Sequence, residues 1–561
     1  MKRTTRNKGT ATHLMLFVVM VLVFGALSLV GLSSTSMNRS TRELSAAQAF
    51  QTAQALVDYE FQVLIERLEE TEGRIPEYTR DLGEAPFEPP EGAEGIVAVT
   101  PFGDESWAWI TADAYVGENA RSVRLLVRAK NVGIWNNAVF AGSGATGQAI
   151  KGNVDIRGSV HLLGDGEAYT DLNGNGQWDD AEPFTDLNGN GVWDPGEPFV
   201  DMNGDGVWNP AEPYNDSNRN GVYDPPMTLT DLNSNFRGNA YIGNNYDGIP
   251  ALIESKITPI PVLNGLKTLS ADVRVKHGMI GISGTATIGL PGNPFGQQGN
   301  VDGTYVNDGW AGNQGASSVY SYNGTNEQYD LGNRVSFPLI SGIGAQEYTD
   351  PSTGITYPNM QQYLDDNSLT IPLNSITNNT PAVSYSDGSG NSFQWIPPAG
   401  GNPGRLLVEG IIRIEGNLRL GSKRSTITYG TSGGPGGRGT LYSTRSIDVH
   451  ANLIPEDGII FPTGVVLGLL AAEDIDLATS GGDAQLTMIG AFYAQGVITS
   501  RKQNQIAGTF VANYYDMGTN VPNIYQVPAL ANHLPPGMPG NESIFFLKRK
   551  TWRDRVPEGT G

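Results

Sequence analysis

The chain has 561 residues with an apolar fraction of 39%, enough for two or more domains with buried cores and too apolar for a disordered polymer. It contains no cysteine, which excludes a disulfide frame and any thiolate chemistry. The formal charge is -22, but fifteen carboxylates and one base, Arg219, lie between Asp165 and Asp231, so that segment carries -14 of it and the remainder is unremarkable.

Lys2, Arg3, Arg6 and Lys8 precede Leu14 to Leu32, a stretch without a charge. Its length suits a transmembrane helix, and the flanking positive charge keeps the N-terminus cytoplasmic, so a single-pass membrane topology is expected with everything after Leu32 exported. A cleaved secretory signal is the alternative, with Gly31 to Ser36 as its small-residue site. Phe50, Ala53, Val57, Phe61, Leu64 and Leu68 then recur at spacings of three and four, which predicts an amphipathic helix over Ser40 to Leu68. Glu66 and Glu69 lie off that stripe, and Gly73 with Pro76 ends it.

A basic leader, an apolar span and the Ala-rich block RELSAAQAFQTAQALVDYE, Arg42 to Glu60, in that order resemble the PilX-type minor pilins of type IV pili, over about the first 70 residues. The resemblance implies a leader (1–13) cut by prepilin peptidase after Gly9, a transmembrane and stem helix (14–75), and contact with other pilin subunits through that helix. It also implies residence in the inner membrane before assembly and then at the cell surface in an extracellular pilus. Two residues depart from the family: Thr10 replaces a large apolar residue, and Leu14 stands where its usual glutamate would be. That glutamate neutralises the N-terminal amine of a neighbouring subunit, where an unpaired buried charge is costly. Its absence leans toward a tip position and equally allows a plain anchor.

Trp107 to Tyr115 and Arg121 to Lys130 are β-rich runs around Val116 to Ala120, a hairpin in an expected pilin-like head sheet over 76–135. From Asn136 short β-branched runs alternate with Gly and Asn, marking a solenoid start over 136–164. The style returns over 404–530, where TRSIDV at Thr444, AEDIDL at Ala472, AQGVIT at Ala494 and ANYYDM at Ala512 align, each led in by a short apolar strand (TLYS, GLLA, AFYA, TFVA). Offsets of 28, 22 and 18 residues fit coils of a parallel β-solenoid with loops of variable length. An antiparallel β-sandwich is the competing arrangement. The Asn- and Gly-rich region 232–403 has no readable strands, and 531–561 reads as a C-terminal tail. A solenoid behind a pilin stem resembles the large competence-associated minor pilins. The expected class is thus α+β and mostly β: a long N-terminal pilin helix, a small pilin-like sheet and a parallel β-solenoid with an inserted calcium-loop ladder.

That insertion spans 165–231. Calcium takes six to eight oxygens, which an EF-hand loop supplies from positions 1, 3, 5, 7, 9 and 12 with Gly at 6. The first repeat places Asp171, Asn173, Asn175, Gln177, Asp179 and Glu182 in those slots, with Gly176 at the turn. The second supplies Asp186, Asn188, Asn190, Val192, Asp194 and Glu197, and the third Asp201, Asn203, Asp205, Val207, Asn209 and Glu212. The fourth has Asp216, Asn218, Asn220, Val222 and Asp224 but Met227 in the last slot, so its closing ligand must come from elsewhere; Asp231 opens a broken fifth copy. Three residues between loops leave no room for flanking helices, which excludes a calmodulin-like sensor. The pattern resembles the tandem calcium-loop arrays of dockerins and thrombospondin type 3 repeats. Three calcium ions are expected, plus a fourth if its loop is closed, in a structural role.

The chain is therefore expected to be a minor pilin or pilus-tip protein and not an enzyme, presenting its solenoid to a surface ligand for adhesion or to extracellular DNA for uptake. Lys423-Arg424, Arg501-Lys502 and Lys548-Arg549-Lys550 are the basic clusters available for phosphate. The alternatives are a membrane-anchored surface-layer protein and a β-solenoid polysaccharide-active enzyme, although His13, His161, His277, His450 and His533 are scattered.

Overall fold

The computed structural model describes residues 34–555 except 69, 72, 86–90, 103–104, 146–154, 204–205, 227–239, 264, 294–295, 431–436 and 518–521. Gly9, Thr10, the stretch Leu14 to Leu32, Asp205, Met227 and Asp231 lie outside the described residues. The chain divides into two compact units, one built from residues up to Asn131 together with those from Phe545 onward, the other from Val132–Ile544.

In the first unit a helix, α1 (Ser34–Arg67), packs on a five-stranded antiparallel sheet. Its strands are β1 (Tyr78–Asp81), β2 (Ala93–Phe102), β3 (Trp107–Val116), β4 (Asn119–Asn131) and, beside β4, the C-terminal strand Phe545–Arg555. The residues expected to form a tail thus complete the sheet. In β3, Ala108, Ile110, Ala112, Ala114 and Val116 are buried while Trp107, Trp109, Thr111 and Asp113 alternate with them, the period of a strand with one face on a core. The β3–β4 hairpin closes with Val116 opposite Asn119 and Gly117 at φ +60°.

The predicted helix stripe is the buried one at Ala53, Val57, Phe61, Leu64 and Leu68, with Phe50 half-buried against the same core and Glu66 exposed. Glu60 interrupts it without any exposed surface. A buried carboxylate needs compensating partners, and Glu60 accepts a hydrogen bond from the Tyr78 hydroxyl and pairs with Arg80 at 3.2 Å, which fastens β1 to the helix.

The expectation of a transmembrane helix and a single-pass membrane protein is corrected here. Among the described residues no helix is long and apolar enough to cross a membrane. α1 has the length, but its sequence carries Arg42, Glu43, Asp58, Glu60, Glu66 and Arg67, each costly in hydrocarbon.

The second unit is a parallel stack. On one face the strands Leu369–Ile371, Gly404–Ile414, Gly437–Ser443, Val465–Ala471, Thr487–Ser500, Gln505–Asp516, Val139–Ala145, Val160–Leu162, Asp272–Val275 and Gly303–Val306 pair in that spatial order, all parallel. A second face stacks Ser375–Ile376, Leu418–Gly430, Ile447–Pro455 and Ile475–Leu477 in the same sense. The region 232–403, unreadable in sequence, therefore supplies solenoid strands of its own.

The stack is not in sequence order. The chain enters in its middle at Val139, winds out to Gly303–Val306, crosses to the far end at Leu369 and winds back until Gln505–Asp516 pairs with Val139–Ala145. An inward row runs Ile412, Leu441, Leu469, Phe492, Phe510, Val139, Val160 and Val273, each almost fully buried. The lead-in strands TLYS, GLLA, AFYA and TFVA fall in register residue for residue. In the segments that follow, Ile447, Ile475 and Tyr515 align as expected, but the third coil offers Ile498 instead of Val497, because a bulge between Ala494 and Val497 adds one residue.

The crossing segment, 307–368, lies along the outward side of this face as a strap. Phe337 stacks on Tyr493 with ring centroids 5.7 Å apart, the Tyr493 hydroxyl donates to the Pro338 carbonyl at 2.6 Å, and Asp330 holds Arg274 at 2.9 Å. Tyr329 meets His161 at 2.9 Å. Over Val465–Ala471 the outward cover includes Pro535 and Met538, which lie against Gly468, and with both sides covered that strand is buried at every residue.

Two outcomes are expected. Phe510→Ala opens a cavity where the last coil meets the first and should cost about 3–5 kcal/mol in urea unfolding; a loss under about 1 kcal/mol would remove the row from the core. Burial, with the Arg274 guanidinium next, pushes His161 ionisation well below the ordinary imidazole range against the pull of Asp272. An imidazole depressed in the folded state is protonated first in the unfolded chain, so stability should fall as pH drops below about 6.5. His161→Gln should flatten the urea midpoint between pH 7.5 and 5.5 relative to the parent.

Candidate metal centre

The loop array leaves the solenoid after Val160–Leu162 and returns before Tyr241–Gly243. In the first loop the Asp171 carboxylate accepts from the backbone N–H of Gly174 and Gly176 at 2.6 and 2.9 Å, and these donors, Gly176 foremost, hold its ionisation below the usual carboxylate range. Asp186 does the same with Gly189 and Gly191, Asp201 takes Gly206 and Asp216 takes Gly221. The glycines at the sixth position sit at φ +77° or +78°, a conformation that requires them.

The amides at positions 3 and 5 converge on the carboxylate at position 9. Asn173 and Asn175 donate to Asp179 Oδ2 at 2.7 and 2.5 Å, Asn188 and Asn190 to Asp194 Oδ2 at 2.6 and 2.8 Å, and Asn218 and Asn220 to Asp224 Oδ2 at 2.5 and 3.1 Å. The amide oxygens accept the N–H two residues on, Asn175 N to Asn173 and Gln177 N to Asn175 at 2.9 and 2.6 Å in the first loop, so a half-turn that presents oxygen to the same point exchanges these bonds. Gln177, Val192, Val207 and Val222 occupy position 7, whose contribution is a backbone carbonyl. In the third loop Asn203 and Asn209 flank Asp205, and Asn209 donates to the Val207 carbonyl at 3.0 Å. Among the described residues no group of three or more His, Cys, Asp or Glu side chains is gathered for a metal. Amide and carbonyl oxygens make up much of each donor set, so the fit is to a hard cation that accepts neutral oxygen, and calcium is such an ion.

Only Glu197 spans the loop to which spacing assigns it; the other glutamates cross to a different loop. Glu212 accepts from Leu172 N and Asp179 N, across the first loop; Glu182 accepts from Met202 N and Asn209 N, across the third; Glu197 accepts from Leu187 N and Asp194 N, across the second. The fourth loop takes Glu167, which accepts from Ser217 N at 2.7 Å and Asp224 N at 3.2 Å. All four carboxylates belong to buried residues, 3–8% exposed. Burial pushes Glu167 up to about 7 despite those two donors, with Asp224 and Asp216 adding to the rise.

Sequence spacing missed Glu167, although its signal is there. Glu167, Glu182, Glu197 and Glu212 each stand four residues ahead of a loop-opening Asp, with an aromatic between (Tyr169, Phe184, Phe199, Tyr214). Those aromatics form antiparallel bridges, Tyr169 with Tyr214 and Phe184 with Phe199, so the array folds back on itself as a nested hairpin. Trp178 stacks on Tyr223 at 4.7 Å and Trp193 on Trp208 at 5.1 Å, joining the first loop to the fourth and the second to the third.

The fourth loop is also the one set against the solenoid. Arg219 takes the slot that Gly174 and Gly189 fill in the first two loops and adopts the same left-handed backbone, φ +56°. That costs on the order of 1 kcal/mol for a residue with a side chain. Its guanidinium pairs with Glu473 at 2.8 Å and with Asp474. Tyr514 donates to Asp224 at 3.3 Å, and Asn215 exchanges hydrogen bonds with the Ile343 backbone of the strap at 2.6 and 3.0 Å. A cleft of about 520 Å³ lies beside this junction, lined by Glu167, Ser217, Arg334, Tyr348 and Asn513 among others.

The histidines do not assemble. His161 lies under the strap, His277 meets Asp165 at 3.2 Å, His450 pairs with Asp483 at 2.8 Å in a buried contact, His533 meets the Ala529 carbonyl, and His13 lies outside the described residues. Of the basic clusters, Arg501 is engaged by Asp516 and Arg549 by Asp58, each at 2.8 Å. A different basic surface lies on the outer face of the antiparallel sheet, where Arg124 and Arg553 cover Trp109 at 4.7 and 5.9 Å; Arg128, over Trp107 at 4.9 Å, is itself buried.

No protein-family model and no curated protein matches the chain. Among solved structures it is similar to the competence-associated pilin ComZ from Thermus thermophilus, at 15% identity and a TM-score of 0.45, over 91% of this chain and 98% of that one. A likeness of that degree carries no argument, and function has to be argued from the chain's own residues.

Proposed function

We propose that the chain is a pilus-associated binding subunit whose solenoid is stiffened by calcium held in the four-loop array. Support for the pilus comes from the block Arg42 to Glu60 on a helix that packs against a small antiparallel sheet, with the large domain inserted before the last strand. Support for calcium comes from the repeated 1-3-5-7-9 oxygen set and the buried glutamate across each loop. Bound calcium would supply charge neutralisation, and the loops would then order around it. Calorimetric titration should show several calcium ions per chain, with resistance to proteolysis inside 165–226 rising on binding. Uptake no greater than that of a chain with scrambled repeats sinks the calcium role, and absence of the protein from sheared pili sinks the pilus role.

Adhesion is the first reading of the ligand. DNA is the second, favoured by the outer sheet face where Arg124 and Arg553 lie over Trp109, a basic and aromatic surface in an acidic chain. Filter retention of single-stranded DNA should then fall steeply with salt, and Arg124→Ala with Arg553→Ala should lower the slope by about 1 per lost phosphate contact. No retention at low salt leaves adhesion.

A further inference from the structure

The geometry points to a metal array closed by exchange: each loop is completed by the glutamate that leads its partner repeat, the first with the fourth and the second with the third. This rests on the calcium reading above. Glu212 leads the fourth repeat and spans the first loop, donors 2.7 and 3.3 Å away. Glu167 leads the first repeat and spans the fourth loop at 2.7 and 3.2 Å. Glu182 leads the second and spans the third at 2.8 and 3.1 Å, while Glu197 leads the third and spans the second at 2.8 and 3.0 Å. The contacts are alike in all four cases: one carboxylate oxygen receives the N–H of position 2 and the other the N–H of position 9. In the first, second and fourth loops that sets the carboxylate against the position-9 residue on whose side chain the amides of positions 3 and 5 converge, where a calcium loop carries its bidentate ligand.

Three consequences separate this from closure within each repeat. The fourth loop is a complete site although Met227 fills its own last slot, because Glu167 closes it. Paired loops share backbone, since Glu182 N donates to Asn209 O and Glu212 N to Asp179 O at 3.0 Å each, so the pairs should fill together. And filling the fourth loop fixes Asp224 and Ser217, which touch Tyr514 and Asn513 of the solenoid, so this is the cation that fastens the array to the stack.

Calcium stoichiometry of the full chain, read by calorimetry, tests the exchange through double substitutions. Asp171→Asn removes the first site and Asp201→Asn the third, each lowering about four ions to about three. With exchange, Glu212→Gln disables the first loop, so D171N/E212Q still binds about three ions and D201N/E212Q only about two. With closure inside each repeat the fourth loop lacks its glutamate, so the parent binds about three ions, D171N/E212Q about one and D201N/E212Q about two. Glu167→Gln should lose one ion and Met227→Ala none. A parent that binds no calcium overturns the metal reading itself. A parent that binds calcium, with D171N/E212Q two ions below it and D201N/E212Q one below it, overturns the exchange alone. Circular dichroism of each variant without calcium shows whether the solenoid is intact.

Discussion

Asn131 and Phe545 are partners across the antiparallel sheet, so the chain between them must leave and return through one narrow gap. The insertion obeys this at its base, where Val132 N donates to Ile544 O at 2.7 Å. A solenoid wound from one end to the other would deliver its last residue far from its first. This one starts in the middle of the stack and ends beside its own beginning, with Phe510 opposite Val139. The long crossing segment follows from that choice, since it must run past the strands it joins; it lies at the surface, with only a few residues such as Leu331, Val335, Ile340, Met360 and Leu364 buried.

That constraint also accounts for what could and could not be read from sequence. The coils between Thr440 and Asp516 were legible because their lead-in strands repeat the same apolar order, and the register between Leu441, Leu469, Phe492 and Phe510 follows from it. The coils at Asp272–Val275 and Gly303–Val306 were not, because there the outward side is also covered and carries Arg274 and Tyr305, whose cation–π contact at 4.7 Å replaces the aliphatic signature. The strand Phe545–Arg555 hides its nature behind Lys548, Arg549, Lys550 and Arg553, which suit the edge of a sheet. Helix spacing gave the stem its buried stripe but said nothing of Glu60, whose burial depends on Tyr78 and Arg80 arriving from β1.

In the array the repeated order of Asp, Asn and Gly was legible and the pairing of the repeats was not. Spacing assigns a glutamate to the loop it follows, whereas the fold assigns it by the hairpin. Only the second loop, at the turn of that hairpin, satisfies both rules through Glu197. The aromatic residues decide the matter physically: Trp193 on Trp208 and Trp178 on Tyr223 bring distant repeats face to face, while the other large apolar residues of the loops, such as Leu172, Leu187, Val192 and Met202, stay exposed.

The nested hairpin sets a rule of parity. Because every loop borrows from the repeat opposite, a single added or deleted repeat would leave one loop at the turn facing its own leading glutamate, on the wrong side to span it. Repeats inserted at the turn, between Gly196 and Glu197, preserve every existing match only in twos. Drift in the length of such an array is thereby restricted to even steps.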